Sequence, residues 1–144
     1  VDLQAARAAG VRVGNIPSEG TGNAAACAEF ALFLTLSLLR DAKAMSASLQ
    51  QRRLGSPTGV VLAGRSALLV GFGAIGRESA ARLAALGVRV SALKRTPWML
   101  EGDAQAAALA ERGGAEDMHR MLARVGPQRC FLVHSRVPPR AGRG

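Results

Sequence analysis

The chain has 144 residues, is 49% hydrophobic and carries 19 Lys and Arg against 10 Asp and Glu, a net charge of +9. That length holds one domain, or one domain plus a fragment, and the apolar share is enough for a core. With 3% aromatic residues and no Tyr, the core is aliphatic and there is almost nothing on which to stack bases, which argues against a single-strand nucleic-acid binder.

The basic surplus fits a phosphate-bearing partner or simply an arginine-rich composition; the arginines are scattered, so composition accounts for most of it. Cys27 and Cys130 make neither a disulfide framework nor a metal pattern, and no metal site is expected. Each lies in an apolar run, where a small buried hydrophobe is its role. The first residue is Val1, and VDLQAARAAG lacks the layout of a signal peptide, so the chain reads as cut from something longer.

In chain order, the first nine residues make a short helix stopped by Gly10. VRV (Val11, Arg12, Val13) alternates like a brief strand, and NIPSEGTGN is a turn-rich loop. Asn23 is placed as the N-cap of the next helix. AAACAEFALFLTLSLLRDAKAMSASLQQR is one long helical segment, apolar nearly all round in its first half and therefore buried on several sides. Its most apolar stretch, from Ala24 to Leu39, falls short of the ~20 residues of a membrane span, so no membrane is expected as partner.

LGSPTGVVLAG leads into a new domain. RSALLV is a continuous apolar strand of the kind covered on both faces. A glycine loop follows, then a helix from Ala74 to about Leu86 that Gly87 ends, then the strand VRVSAL. Strand, helix and strand at this spacing make a parallel right-handed unit. KRTPW is a loop, GDAQAAALAERGG a short helix ended by Gly113, AEDMHRMLARVG another helix and RCFLVHS a short strand. The tail RVPPRAGRG reads as disordered. The fold class is α/β: an incomplete, Rossmann-type doubly wound parallel sheet.

The motif that carries chemistry is GFGAIG, Gly71, Phe72, Gly73, Ala74, Ile75 and Gly76. G-x-G-x-x-G alone is weak; placed after a strand, opening a helix, within a βαβ unit, it reads as a dinucleotide fingerprint. Gly71 permits the tight turn, Gly73 lets a pyrophosphate approach the backbone, and Gly76 lets helix and strand pack closely. The first helical amides are unpaired and favour a phosphate. The competing reading is a glycine-rich turn that binds nothing.

NAD-preferring sites commonly place Asp or Glu about 20 residues past the glycines, on the ribose 2′-hydroxyl. Here that stretch is Lys94, Arg95 and Thr96, with no carboxylate. Two cations attract a 2′-phosphate, so NADP is the preferred cofactor and NAD the alternative; on the competing reading both cations simply point to solvent.

Together, VDLQAARAAGVRVGNIPSEGTGNAAACAEFALFLTLSLLR and LAGRSALLVGFGAIGRESAARLAALGVRVSALKR resemble the D-isomer-specific 2-hydroxyacid dehydrogenases. IPSEGTGNAA, AEFAL and the KR-x-x-W of Lys94, Arg95 and Trp98 are similar to the plant and green-algal branch. The resemblance implies that residues 1–22 are the tail of a substrate domain, 23–54 a crossing helix that also lies at the dimer contact, 55–135 a partial dinucleotide-binding domain and 136–144 a tail. It implies an oxidoreductase that exchanges hydride between a nicotinamide and 2-oxo or D-2-hydroxy acids, of the hydroxypyruvate or glyoxylate reductase or phosphoglycerate dehydrogenase kind.

That chemistry needs an Arg for the substrate carboxylate, a His for the hydroxyl proton and an acidic partner for the His. In the family these follow the matched part, so no catalytic residue is assigned here. His119 lies in a polar helix, and His134 ends an apolar strand without a visible acidic partner. After Arg124 the sequence departs from the family, as a change of reading frame or abnormal splicing would produce.

Three functions follow: a cofactor-binding segment inactive alone, a non-catalytic dinucleotide-sensing or protein-interaction module, and a basic nucleic-acid binder, the least supported. A small 2-oxo or 2-hydroxy acid is a partner only of the full-length protein. A homodimer is expected, because the apolar helix without a partner would expose a sticky face. Compartment is open, with cytoplasm and chloroplast both compatible.

Overall fold

The apolar run SALLV becomes β1 (Ser66–Val70), an inner strand of a four-stranded sheet. The structure, a computed structural model, describes residues 1–16, 20–98 and 103–125, and the backbone alone of 129–133. β2 (Arg89–Leu93) and β4 (Arg129–Val133) flank β1, and β3 (Glu111–Gly113) lies outside β2, giving the order β3-β2-β1-β4. All pairings are parallel; Leu68 is in register with Ser91 on one side and Phe131 on the other.

The chain leaves β1 through helix α4 (Ala74–Ala85) to reach β2, and later returns to pair β4 with the opposite edge of β1. The connections therefore diverge between β1 and β4. In open α/β sheets such a switch point, at the carboxyl ends of the strands, is where ligands bind.

Strand alternation sorts the core into two layers. Ala67 and Leu69 of β1 pack with Val90 and Ala92 of β2 and with Ala80 and Leu83 of α4. Leu68 faces the other way, joining Leu93 and the fully buried Met121 of α6 (Met118–Arg124). Burying a leucine this completely contributes about 1.5–3 kcal/mol. Asp2 caps α1 (Leu3–Ala8) by accepting from the amides of Gln4 and Ala5, and Gly10 ends it at a φ of 69°. At the other end of α4, Gly87 turns the chain at a φ of 76°, as its sequence position predicts.

Several expectations are corrected. Residues 11–13 are not a strand: Val11 and Val13 are exposed, and no strand among the described residues pairs with them. The N-cap of α2 (Asn23–Leu39) is Gly22, whose φ of 74° a residue with a side chain rarely adopts, so Asn23 becomes the first helical residue. The long helix is two helices, α2 and α3 (Ala42–Gln50), bent by 59°. The break is at Asp41, whose carboxylate accepts from the amide of Ala44 and starts the second helix afresh.

Nor is α2 buried on several sides. Ala24, Ala28 and Thr35 are covered, while Phe30 and Phe33 are 61% and 60% exposed and Leu38 is 82% exposed. One face meets α4, Leu32 and Leu39 pack against the core, and the Leu39 carbonyl accepts from the Val60 amide, while the aromatic face is exposed among the described residues. No single described helix is long and apolar enough to cross a membrane, although α2 and α3 together pass by length and composition.

The helix expected to run to Gly113 stops early. α5 (Ala104–Ala107) is one turn, and Glu111–Gly113 joins the sheet beside Ser91–Leu93. Gly113 is packed so closely that a Cβ there would lie 2.7 Å from the Met121 sulfur. A 3-10 turn (Ala115–Asp117) then leads into α6. Cys27 is half-buried and free, its thiol directed at the Asn23 side-chain oxygen, 3.6 Å away. The Cys130 side chain, His134 and the expected tail 136–144 lie outside the described residues.

Candidate functional site

The glycine turn lies at the carboxyl end of β1, and each glycine answers a different demand. Gly71 has a φ of 111°, which excludes ordinary side chains, and its amide donates to the carbonyl of Leu93 at 2.9 Å, tying the turn to the end of β2. A Cβ on Gly76 would lie 2.5 Å from the carbonyl oxygen of Gly71, so the helix approaches the strand end as closely as a backbone can. Gly73 has ordinary extended angles, and a Cβ there would meet no atom within 4 Å. Among the described residues no packing contact requires a glycine at 73.

Gly73 is also the N-cap of α4, which no side chain caps. The first bond of the helical ladder is from the Arg77 amide to the Gly73 carbonyl, at 2.9 Å. The amides of Ala74, Ile75 and Gly76 precede it, at the positive end of a helix of 12 residues. A diphosphate suits such donors, and the open space at Gly73 lets it reach them. The residues present fit a dinucleotide on this observation.

Phe72, between the first two glycines, is 2% exposed and anchors the turn in the core. Trp98 packs against it with ring centroids 5.3 Å apart, and the Arg77 guanidinium lies 5.1 Å from the Phe72 ring centroid. Arg77 also pairs with Asp103, and the Asp103 carboxylate accepts from the amide of Ala106 to cap α5. The Arg77 hydrogen bond first, and the Ala106 amide second, hold the Asp103 carboxyl below its ordinary range.

Lys94, Arg95 and Thr96 follow β2 directly. The Lys94 amide donates to the Gly113 carbonyl at 3.0 Å, which extends the β2–β3 ladder by one residue. Because Gly71 bonds to Leu93, Lys94 is one residue from the glycine turn. Lys94 is half-buried, whereas Arg95 and Thr96 are exposed. His119 is exposed on α6.

Two features lay beyond sequence reasoning. Asp103 brings a carboxylate to this corner, outside the spacing at which an acidic residue is sought, and both its oxygens are engaged. The second is a cavity of about 260 Å³ between the N-terminal ends of α2 and α4, with Gly22, Ala24, Ala74, Arg77 and Gln105 among its lining. It joins the loop before α2 to the glycine turn, a proximity that no periodicity encodes.

A parallel sheet whose glycine turn opens a helix beside the switch point is the nucleotide-binding half of a Rossmann-type fold. The family described as D-isomer specific 2-hydroxyacid dehydrogenase, NAD binding domain, matches residues 32–124, and the chain belongs to it. It is 40% identical over 94 residues to a D-3-phosphoglycerate dehydrogenase of Mycobacterium bovis, covering 64% of this chain and 17% of that protein. It is 37% identical over 92 residues to the chloroplastic D-3-phosphoglycerate dehydrogenase 2 of Arabidopsis thaliana, covering 62% of this chain and 14% of that protein.

The fold is similar to that of a formate dehydrogenase from Granulicella m., with a TM-score of 0.73, 23% identity, 96% of this chain and 35% of that one. The chain thus spans about a sixth of the length of the curated relatives.

Proposed function

We propose that this chain is the NADP(H)-binding part of an oxidoreductase acting on the CH–OH group of D-2-hydroxy acids, or in reverse on 2-oxo acids. Gly71, Phe72, Gly73, Ala74, Ile75 and Gly76 form the diphosphate cradle, and Lys94, Arg95 and Thr96 receive the adenosine ribose and its 2′-phosphate. The observation that carries this reading is the empty space above Gly73, at the uncapped start of α4.

Preference for NADP(H) over NAD(H) rests on charge. Asp103 brings a carboxylate to this corner, and each of its oxygens already accepts a hydrogen bond, from Arg77 and from the Ala106 amide, which leaves it less free to bind the ribose hydroxyls. One charge-assisted bond to a 2′-phosphate contributes about 1.5–3 kcal/mol, roughly ten- to a hundred-fold in affinity.

Residues 1–22 belong with the substrate domain, which accords with the absence of any buried residue in α1. Residues 23–54 cross between domains, and 55–135 are the dinucleotide-binding unit. The bare α2 face is where a second copy docks. No catalytic residue is assigned on this reading, under which these residues alone bind nucleotide without turnover.

Titrating the purified chain with NADPH and with NADH, followed by the fluorescence of the reduced nicotinamide, tests the site. Binding of both, with NADPH tighter by about ten-fold or more, is expected. Equal affinity removes the 2′-phosphate reading, and no binding of either removes the site. Reduction of glyoxylate or hydroxypyruvate by these residues alone would overturn the assignment of no catalytic group.

A further inference from the structure

Lys94 and Trp98 hang from one oxygen. The Gly113 carbonyl accepts from the Lys94 amide at 3.0 Å and from the Trp98 indole nitrogen at 3.2 Å. The indole ring, pinned at this edge and packed against Phe72, lies under the Lys94 ammonium, 5.7 Å from nitrogen to ring centroid. A lysine side chain ordinarily keeps its flexible stem free in solvent and pays side-chain entropy when ordered. Here an aromatic face holds the cation, and that face is itself fixed by the core residue of the glycine turn.

We propose that Trp98 is a positioning residue: it holds the Lys94 ammonium at the end of β2 and thereby sets the selectivity of the site for a 2′-phosphorylated dinucleotide. The inference rests on the NADP(H) reading above and names the residue through which the selectivity acts. Trp98 makes no contact with the phosphate in this scheme. Its contribution is that Lys94 is already ordered when the ligand arrives, so affinity for the 2′-phosphate is gained without a further loss of rotamer freedom. Arg95, exposed one residue on, has no comparable support among the described residues.

Two measurements on the 144-residue chain test this. The chain contains a single Trp, so its emission reports on residue 98 alone. 2′,5′-ADP, which carries the extra phosphate, pairs with the ammonium held over the ring, changes the field at the indole and shifts Trp98 emission, whereas 5′-ADP at matched saturation shifts it less; Lys94→Met abolishes the difference. Identical responses to the two nucleotides when both bind would overturn the proposal.

The second measurement is a double-mutant cycle. Trp98→Leu is expected to lower the NADPH-over-NADH affinity ratio by roughly five-fold, with NADH affinity kept within about two-fold. Trp98→Phe, which keeps a ring under the ammonium, retains most of the ratio. Trp98→Leu combined with Lys94→Met lowers the ratio no further than Lys94→Met alone.

An unchanged ratio in Trp98→Leu, additive effects in the double variant, or equal loss of both nucleotides overturns the role of Trp98. If the unaltered chain shows no preference for NADPH, the underlying NADP(H) reading has failed. If it shows the preference and Lys94→Met removes it while Trp98→Leu does not, only the positioning role has failed. Should Trp98→Leu not fold, the emission measurement on the unaltered chain decides alone.

Discussion

Gly76 and Gly71 touch backbone to backbone: a methyl group on Gly76 would stand 2.5 Å from the Gly71 carbonyl oxygen, while one on Gly73, between them, would meet nothing within 4 Å. Two glycines of the same motif thus serve the fold, and the third, on the proposed reading, serves a ligand. Gly76→Ala must push α4 off the strand end, and a destabilisation of about 1–3 kcal/mol is expected, the usual cost of overpacking. Gly73→Ala is expected to cost no more than about 1 kcal/mol, as Ala is a poorer N-cap than Gly but meets no atom there, yet to weaken nucleotide binding by roughly ten-fold or more through loss of a charge-assisted contact. Urea unfolding and NADPH titration of the two variants check the split. A Gly73→Ala chain that binds as well as its parent would show that the space there is not the cradle.

The same motif shows how far the sequence reached. GFGAIG could be read because its neighbours, a strand of five residues and a helix of 12, are written in continuous local patterns. The parallel unit of β1, α4 and β2 follows from them. What was not legible depends on partners distant in sequence. Glu111–Gly113 is a strand only because Ser91–Leu93 offers an edge, and residues 11–13, with better strand composition, have no such edge among the described residues. The break between α2 and α3 turns on one carboxylate, Asp41, finding the amide of Ala44. Lys94 could be named from its spacing after the glycines, but the indole beneath it and the Arg77–Asp103 pair beside Phe72 are tertiary facts.

Acid should loosen this corner. Hydrogen bonds from Arg77 and from the Ala106 amide lower the Asp103 pKa, and hydrogen bonds from Arg120 and from the Gly114 amide lower that of Asp117. A carboxyl held lower in the folded chain than in the unfolded one adds stability above the unfolded value, about 3.9 for Asp. That stability is lost as pH falls through the lower folded value. The urea midpoint is therefore expected to drop as pH is taken from 5 to about 2.5. Asn caps a helix about as well as Asp, so Asp103→Asn isolates the charge and should make the fall shallower. A variant whose midpoint follows the parental curve through this range would show that the Arg77–Asp103 pair does not discriminate folded from unfolded chain.

The net charge of +9 makes a further distinction measurable. A chain that binds nucleic acid through its cations loses affinity steeply between 50 and 200 mM salt, by about 10³ or more when six or more phosphates are contacted. A dinucleotide held by backbone amides and one ordered lysine offers far fewer counterions for release. NADPH affinity is expected to fall less than about ten-fold over this range, and NADH affinity less still, since it lacks the 2′-phosphate. Equal salt slopes for the two nucleotides would argue that Lys94 and Arg95 do not read the 2′ position.

Phe30 and Phe33 stack on the solvent face of α2, with ring centroids 6.1 Å apart, and Leu34 and Leu38 extend the exposed apolar surface. On the opposite face Glu29 reaches Arg82 of α4 at 3.0 Å, and Arg82 also pairs with Glu78, so α2 is fastened to the nucleotide-binding unit while its aromatic side is left bare. Contiguous exposed apolar surface of this kind is suited to association, and on the proposed reading a second copy of the same helix covers it by symmetry. Light scattering on the purified chain is expected to give a mass of twice the 14.9 kDa monomer or more. Phe30→Glu combined with Phe33→Glu keeps good helix formers at both positions while placing two charges in the contact. That variant should run as a monomer with an unchanged helical circular-dichroism signal and unchanged NADPH affinity, because neither ring lines the glycine turn. A parent chain that stays monomeric at high micromolar concentration would remove the proposed dimer contact, and a variant that still associates would move it to another face.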